Sequence, residues 1–401
     1  MPLQRQRNSI LYVLMLNMFI ALLGVGIIIP VMPVYLEYYE VGGAVAGQLV
    51  AIFGLFQFLI SPLAGKWTDR YGRKWLIVAG LCLNGIAQWL FALKGDLWFL
   101  YVSRMLGGTG VGLLVPATMA CVADLTDEAK RNKGMGYLSA AMSLGITIGP
   151  GIGGGLSKIS MTAPFYAAAF AAFAAAFVTA IFIPETFANR KREHGHPRTG
   201  LIGQMAASFR GKYLVPLLVL FAISFGLMSY ETVFPLHAAK YYGLSVERIS
   251  VLITAGALMG IIAQSWLLDK LVRRHGERKV IQASLAVAAL TLVLLLLWKW
   301  FWFVFAVSML FFTATSILRP AAGTLLSKLA GEDEQGFVSG LNSAYSSIGS
   351  MLGPLMAGML YDLQAELPYL FAAFALMAGI WILEGRRKSR YPQREVEDSI
   401  S

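Results

Sequence analysis

The sequence predicts an all-α membrane protein of twelve transmembrane helices, arranged as two pseudo-symmetric six-helix bundles. Three observations predict it. The 401 residues are 57% hydrophobic and only 14% charged, and the mean hydropathy is +0.64, well outside soluble composition. Apolar runs of about 20 residues, the length a helix needs to cross a bilayer, recur along almost the whole chain. The two halves also repeat. Pro116 pairs with Pro320 and Gly149-Pro150 with Gly353-Pro354, each 204 residues apart, while Pro30 and Pro235 end the first span of each half 205 apart. Ser61-Pro62 to Asp69 has a fainter echo in Ser265 to Asp269. A constant offset argues duplication of a six-span unit.

The runs follow in order. The first, 10–36, comes after Arg5 and Arg7 and resembles a signal peptide. It is too long for a signal core and lacks a small-residue cleavage site, so it reads as a retained span. Runs 45–66, 75–94, 97–122, 134–157 and 163–184 complete an N-terminal bundle over residues 1–184. The longest polar stretch, 185–212, reads as a cytoplasmic linker. His194 and His196 lie in it without a further ligand nearby, as expected of a solvated segment rather than a metal site. Runs 213–237, 246–268, 280–299, 301–326, 336–361 and 367–385 form the C-terminal bundle over 213–385, and 386–401 is a cytoplasmic tail.

Charge sets the orientation. Bases crowd the loops on one side, as in Lys66, Arg70, Arg73 and Lys74, or Lys130, Arg131 and Lys133. The opposite side carries only Lys94, Lys158, Lys240, Arg248 and Lys299. The positive-inside rule puts both termini in the cytoplasm. It also explains the net charge of +11 without nucleic acid. Cys82 and Cys121 both lie in apolar runs, which suggests neither a disulfide framework nor a metal site. No nucleophile with its base stands out, so the pattern does not read as an enzyme.

One acid, Glu231, sits inside a span; the others fall in loops, tails or run ends. A carboxylate at bilayer depth costs about 2.5–3.5 kcal/mol on insertion scales. Low dielectric disfavours the charged form of a carboxyl, so such a group is suited to exchanging a proton. Arg104 and Arg319 are the intramembrane bases, and each needs acceptors or water.

Three further motifs carry mechanical meaning. Gly65-Lys-Trp-Thr-Asp69-Arg70-Tyr-Gly72-Arg73-Lys74 joins the second and third spans. Its glycines allow close approach and a tight turn, and its charges suit helix capping or pairing. Gly145, Gly149, Pro150, Gly153 and Gly154 flatten a face of the fifth span, and Pro150 favours a bend. Gly24-Val-Gly26 to Pro30 marks the first span.

These motifs resemble the major facilitator superfamily, and within it the twelve-span drug:proton antiporters. Ser224 to Thr232, Gln335 to Ser343 and Met161 to Tyr166 are similar to Gram-positive multidrug exporters of the NorA, Bmr and Blt type. The resemblance covers about residues 10 to 385. It implies a gating role for Gly65, Asp69, Arg70, Gly72 and Arg73, which in that family latch the halves in the outward-facing state. It implies proton coupling for Glu231, Arg104 and Arg319, and the antiporter motif for the fifth-span glycines. One position departs. Those exporters carry an acid three residues before the Arg-Pro of span ten, where this chain has Ser316.

The expected function is proton-coupled export of small amphipathic compounds from a bacterial plasma membrane. The protein is expected to act as a monomer with a small-molecule substrate, no nucleic acid partner and no cofactor beyond the coupling proton. Ser316 keeps an alternative open: a dedicated exporter of one zwitterionic or anionic metabolite, such as a metallophore. Gln57, Tyr230, Phe234, Asn342 and Tyr345 are the expected pocket residues; Asn342 and Tyr345 share a helical face.

Overall fold

A computed structural model of the chain describes residues 2–186, 213–331 and 334–385. The expected tail, His194 and His196, and all of the expected linker except residues 185 and 186 lie outside them. Twelve helices form among the described residues: α1 (Pro2–Tyr38), α2 (Gly43–Tyr71), α3 (Arg73–Ala92), α4 (Leu97–Leu125), α5 (Glu128–Leu156), α6 (Ala163–Phe182), α7 (Leu214–Tyr242), α8 (Val246–His275), α9 (Glu277–Leu294), α10 (Phe301–Leu329), α11 (Gln335–Leu363) and α12 (Leu367–Gly385). They match the twelve expected spans.

Ten of the twelve are long and apolar enough to cross a bilayer by length and composition. The other two are α9 and α11. α9 has 18 residues and opens with Glu277-Arg278-Lys279, and α11 is rich in Gly and Ser because it packs against α2 and α7.

The helices run further than the apolar runs that predict them. α1 continues to Tyr38 and α7 to Tyr242, so Pro30 and Pro235 do not end these spans but sit inside them. A proline in a membrane helix removes one backbone bond, which neighbouring helices and local adjustment can absorb. Pro62, Pro116, Pro150, Pro320 and Pro354 are likewise internal.

α1–α6 pack around two apolar clusters, one toward the cytoplasmic side at Leu14, Ile77 and Cys121, the other toward the outside at Tyr35, Phe91 and Phe165. α7–α12 enclose one cluster that contains Tyr230, Phe234, Phe311 and Tyr369. Exposed tryptophans ring the outer ends, at Trp98, Trp298, Trp300 and Trp302, and the inner ends, at Trp67 and Trp75. This placement suits side chains that anchor at the membrane–water interface.

The halves meet mainly where α2 faces α11 and α5 faces α8. Glycine stripes show how far each contact runs. A methyl on Gly54 would lie 3.2 Å from Met351, and Gly47, nearer the outside, presses on the Pro354 carbonyl. Gly65 lies 18 residues beyond Gly47, five full turns and therefore the same face, yet nothing stands within 4 Å of it. The α5 stripe repeats the pattern. Gly154 presses on Ser250, whereas Gly136, five turns toward the cytoplasm, has open space around it. The halves touch at their outer ends and part at their cytoplasmic ends, which is an inward-facing arrangement.

Candidate transport site

Glu231 lies near the middle of α7, half-buried, and among the described residues it is the one carboxylate at mid-span depth. No hydrogen bond or salt bridge reaches its carboxylate among them. The intramembrane base of the same bundle is Arg319, on α10. Arg319 is exposed although it sits within the span, so its guanidinium faces the opening between the halves. Its Nη2 donates to Ser224 Oγ at 3.3 Å. Ser224 and Glu231 are seven residues apart on α7, which places them on one face roughly 10 Å apart along the axis. The fully buried Ser224 therefore ties Arg319 to the helix that carries Glu231, two turns away. Ser316 lies on α10 one turn before Arg319. Its hydroxyl donates to the Thr313 carbonyl at 3.0 Å, and its side chain packs against Gly260 of α8, where a methyl would lie 3.2 Å from the Ser316 Cβ.

Arg104 is held differently. It is buried in α4, with its guanidinium 5.2 Å from the Phe91 ring centre and 5.5 Å from that of Phe53. Its Nε has no hydrogen-bond partner. Two aromatic faces stabilise a desolvated cation by about 2 kcal/mol or more. The backbone of Gly108 presses on the Phe53 carbonyl and so brings α2 against α4 at this level.

The fifth-span glycines have two jobs. A methyl would sit 2.5 Å from the Phe19 carbonyl oxygen at Gly145, 2.8 Å from that of Leu23 at Gly149, and 2.9 Å from that of Ile27 at Gly153. These three seat α5 on α1. Gly154 and Gly151 face α8 instead, against Ser250 and Thr254. Pro150 lies between the two sets. α11 repeats the seat: methyls on Gly349 and Gly353 would meet the Phe221 and Phe225 carbonyls of α7 at 2.6 and 2.5 Å.

The loop from Gly65 to Lys74 keeps its charges within the N-terminal half. Arg73 pairs with Asp69 at 3.2 Å and with Asp124 at 2.9 Å, and its Nη1 donates to the Thr68 carbonyl at 2.7 Å. Arg70 lies over the Tyr71 ring at 5.3 Å. Gly72 turns the chain at φ +93°, a conformation that favours glycine. The Glu185 carboxylate accepts from the backbone N–H of Arg73 at 2.8 Å and of Lys74 at 3.3 Å, capping α3. Glu185, assigned by sequence to the linker, is thus tied to the N-terminal bundle.

The expected pocket set divides. Gln57, in the middle of α2, and Asn342, in the cytoplasmic third of α11, are half-exposed, and the Asn342 amide oxygen accepts from Ser346 at 3.3 Å. Tyr345 is 5% exposed. Tyr230 and Phe234 do not line the opening. They stack at 4.9 Å inside the C-terminal core, Tyr230 also lies 4.1 Å from Phe311, and its hydroxyl reaches Ser308 at 3.3 Å. They pack with α10 and away from the opening between the halves, so the polar hydroxyl finds its partner in the core. Sequence reading missed Phe53, Phe91 and Ser224. Only Ser224 carried a signal, its seven-residue spacing from Glu231.

Two six-helix bundles that enclose a charged mid-membrane opening define a multi-pass membrane transporter. The chain belongs to the Major Facilitator Superfamily, whose family model matches residues 14–274 and again 216–399. It is 36% identical over 378 residues to Multidrug resistance protein 2 of Bacillus subtilis, covering 94% of each chain. It is 33% identical over 389 residues to Quinolone resistance protein NorA of Staphylococcus aureus, covering 97% of this chain and 99% of that one. In fold it is similar to the nucleoside transporter NupG, with a TM-score of 0.80 at 11% identity over 94% of this chain and 99% of that one. It is a multi-pass plasma-membrane protein and takes small molecules as substrates.

Proposed function

We propose that the chain exports small amphipathic compounds, including drugs, by alternating access driven by inward proton flow. One observation carries the reading: Glu231 stands alone as a mid-span carboxylate, facing the opening with Arg319 as its charged neighbour. The drug-resistance names of its relatives support the substrate class. Proton binding must favour one state over the other, because equal affinity for both shifts nothing. A neutral Glu231 leaves Arg319 uncompensated and changes the charge of the wall that substrate meets. Residues 1–184 and 213–385 act as the two moving bodies. The protein works as a monomer, neither as an enzyme nor on nucleic acid, and needs no cofactor beyond the proton. Asp69, Arg70 and Arg73, paired within one half in the inward-facing state, re-pair across the cleft when it closes on the cytoplasmic side. Gln57 and Asn342 contact substrate.

The test is ethidium uptake into energised inverted vesicles. Wild-type transport is expected to stop on adding a protonophore, and Glu231→Gln is expected to abolish it. Intact uphill transport by Glu231→Gln refutes the proposal.

A second reading rests on Ser316. With no acid one turn from Arg319, the C-terminal wall carries an exposed cation that suits a zwitterionic or anionic substrate. Ser316→Asp is expected to raise ethidium transport several-fold relative to wild type. Wild-type ethidium transport that Ser316→Asp does not raise counts against this reading.

A further inference from the structure

Two contacts close the outer end of the cleft, and they are copies of each other. At the end of α11 the Asp362 carboxylate accepts from the backbone N–H of Gly43 at 2.5 Å and of Ala44 at 2.8 Å. These are the first two N–H groups of α2, in the opposite half. The first N–H groups of a helix have no partner within it and form its positive end. α2 has no capping side chain of its own, because Gly42 occupies the N-cap. A methyl on Gly42 would meet the Asp362 carboxylate at 2.5 Å. Asp362 thus caps α2 from across the molecule.

On the other side of the pseudo-two-fold axis, Lys158 Nζ lies 3.0 Å from Glu247 Oε1. Lys158 follows α5, and Glu247 is in the first turn of α8. The repeat offset of 204 carries Lys158 to Asp362 and Gly43 to Glu247. Both contacts therefore join the end of a half's fifth span to the start of the other half's second span, with the sign of the charge reversed. Beneath each lies the same glycine neck: Gly358 presses on the Gly43 carbonyl and Gly154 on Ser250.

We infer that Asp362 and the Lys158–Glu247 pair form a two-part outer latch that sets the balance between inward-facing and outward-facing states. The inference rests on the alternating-access reading and adds residues to it that touch neither substrate nor Glu231. The two parts are unequal. Lys158 and Glu247 are 62% and 46% exposed at their side chains, and Asp362 is exposed too, but Lys158 and Glu247 meet only as two side chains, and exposed pairs contribute little. Asp362 makes two charge-assisted bonds to a helix terminus, and such bonds are the stronger kind.

The test places a nitroxide on each half at the repeat-related outer positions Trp98→Cys and Trp302→Cys, with Cys82 and Cys121 replaced by serine. Pulsed dipolar spectroscopy in lipid nanodiscs reads the distance distribution. The parent protein is expected to favour the short distance. Asp362→Asn is expected to raise the ratio of long to short by about tenfold, the effect of losing one charged hydrogen bond. Lys158→Glu is expected to raise it less, and adding Glu247→Lys is expected to restore the parent ratio. Thermal denaturation of the same samples separates a latch from a folding role, since a folding defect lowers the melting temperature without moving the ratio. An unchanged ratio in both Asp362→Asn and Asp362→Ala, in a parent that does respond to substrate or pH, overturns the latch and leaves alternating access standing. One fixed distance in every sample overturns both.

Discussion

Arg319 on α10 donates to Ser224 on α7 at 3.3 Å, two turns on the cytoplasmic side of Glu231. Ser224 is fully buried and Arg319 is exposed to the opening. One edge of the guanidinium is therefore held by the core while the rest meets water or substrate. That geometry fixes a positive charge two turns from the single mid-span acid and makes the two residues unequal in effect. Arg319→Gln is expected to cut gradient-driven efflux at least about tenfold, because it removes the intramembrane cation of the C-terminal bundle. Ser224→Ala loses one long hydrogen bond worth about 1 kcal/mol, a factor of about five. Initial rates in inverted vesicles distinguish the two. Equal losses assign Arg319 a packing role and separate it from coupling.

Arg104 invites a different experiment, since it has aromatic faces but no acid. A buried charge without an ion-pair partner costs several kcal/mol of desolvation, offset here by Phe53 and Phe91 to about 2 kcal/mol. Arg104→Met keeps most of the volume and removes the charge. The melting temperature in detergent is expected to rise, while efflux falls. Such an opposition of stability and function marks a residue kept for its charge. A lower melting temperature means instead that the cation–π contacts outweigh the desolvation cost and that Arg104 is structural.

Much of this was legible in the sequence because the bilayer imposes length and charge rules. The twelve apolar runs correspond to twelve helices among the described residues. The offset of 204 residues marked the repeat that relates the α5 seat on α1 to the α11 seat on α7. What failed was depth of burial around one helix. α7 is apolar on every face, so periodicity did not separate the side facing the opening from the side facing α10. Tyr230 and Phe234 were assigned to the wrong side for that reason. Asp362 was illegible because an acid at a span end reads as topology; only the fold shows that the α2 terminus opposite has no cap of its own.

The division of the expected pocket residues is itself open to measurement. Tyr230 is 1% exposed and its hydroxyl makes one bond of 3.3 Å, to Ser308. Tyr230→Phe is expected to cost about 1 kcal/mol of stability or less and to leave the substrate KM within about twofold. Asn342→Ala and Gln57→Ala remove half-exposed polar groups from α11 and α2, the helices that face each other between the halves. They are expected to raise KM for ethidium several-fold with little change in melting temperature. A large KM change in Tyr230→Phe with none in the other two places the binding surface on the α10 side of α7 and moves the pocket.

The α5 glycines supply a graded series on a single helix. A methyl at Gly149 would stand 2.8 Å from the Leu23 carbonyl oxygen and 2.9 Å from the Gly26 Cα, so backbone meets backbone and no flexible side chain can yield. Gly155, six residues on, has nothing within 4 Å. Overpacking a close contact costs about 1–3 kcal/mol, whereas glycine to alanine in an open helical position gains up to about 1 kcal/mol through helix propensity. Gly149→Ala is therefore expected to lower the melting temperature and reduce efflux, and Gly149→Leu to abolish efflux. Gly155→Ala is expected to hold or raise the melting temperature with transport intact. Gly154→Ala falls between them in kind, because it disturbs the α8 contact at the outer neck rather than the α1 seat. Its expected signature is a shift toward the outward-facing distance with less loss of stability than Gly149→Ala. If all three alanine variants lose stability alike, helix packing in general is the cause, and the separation of α5 into an α1 face and an α8 face has no functional content.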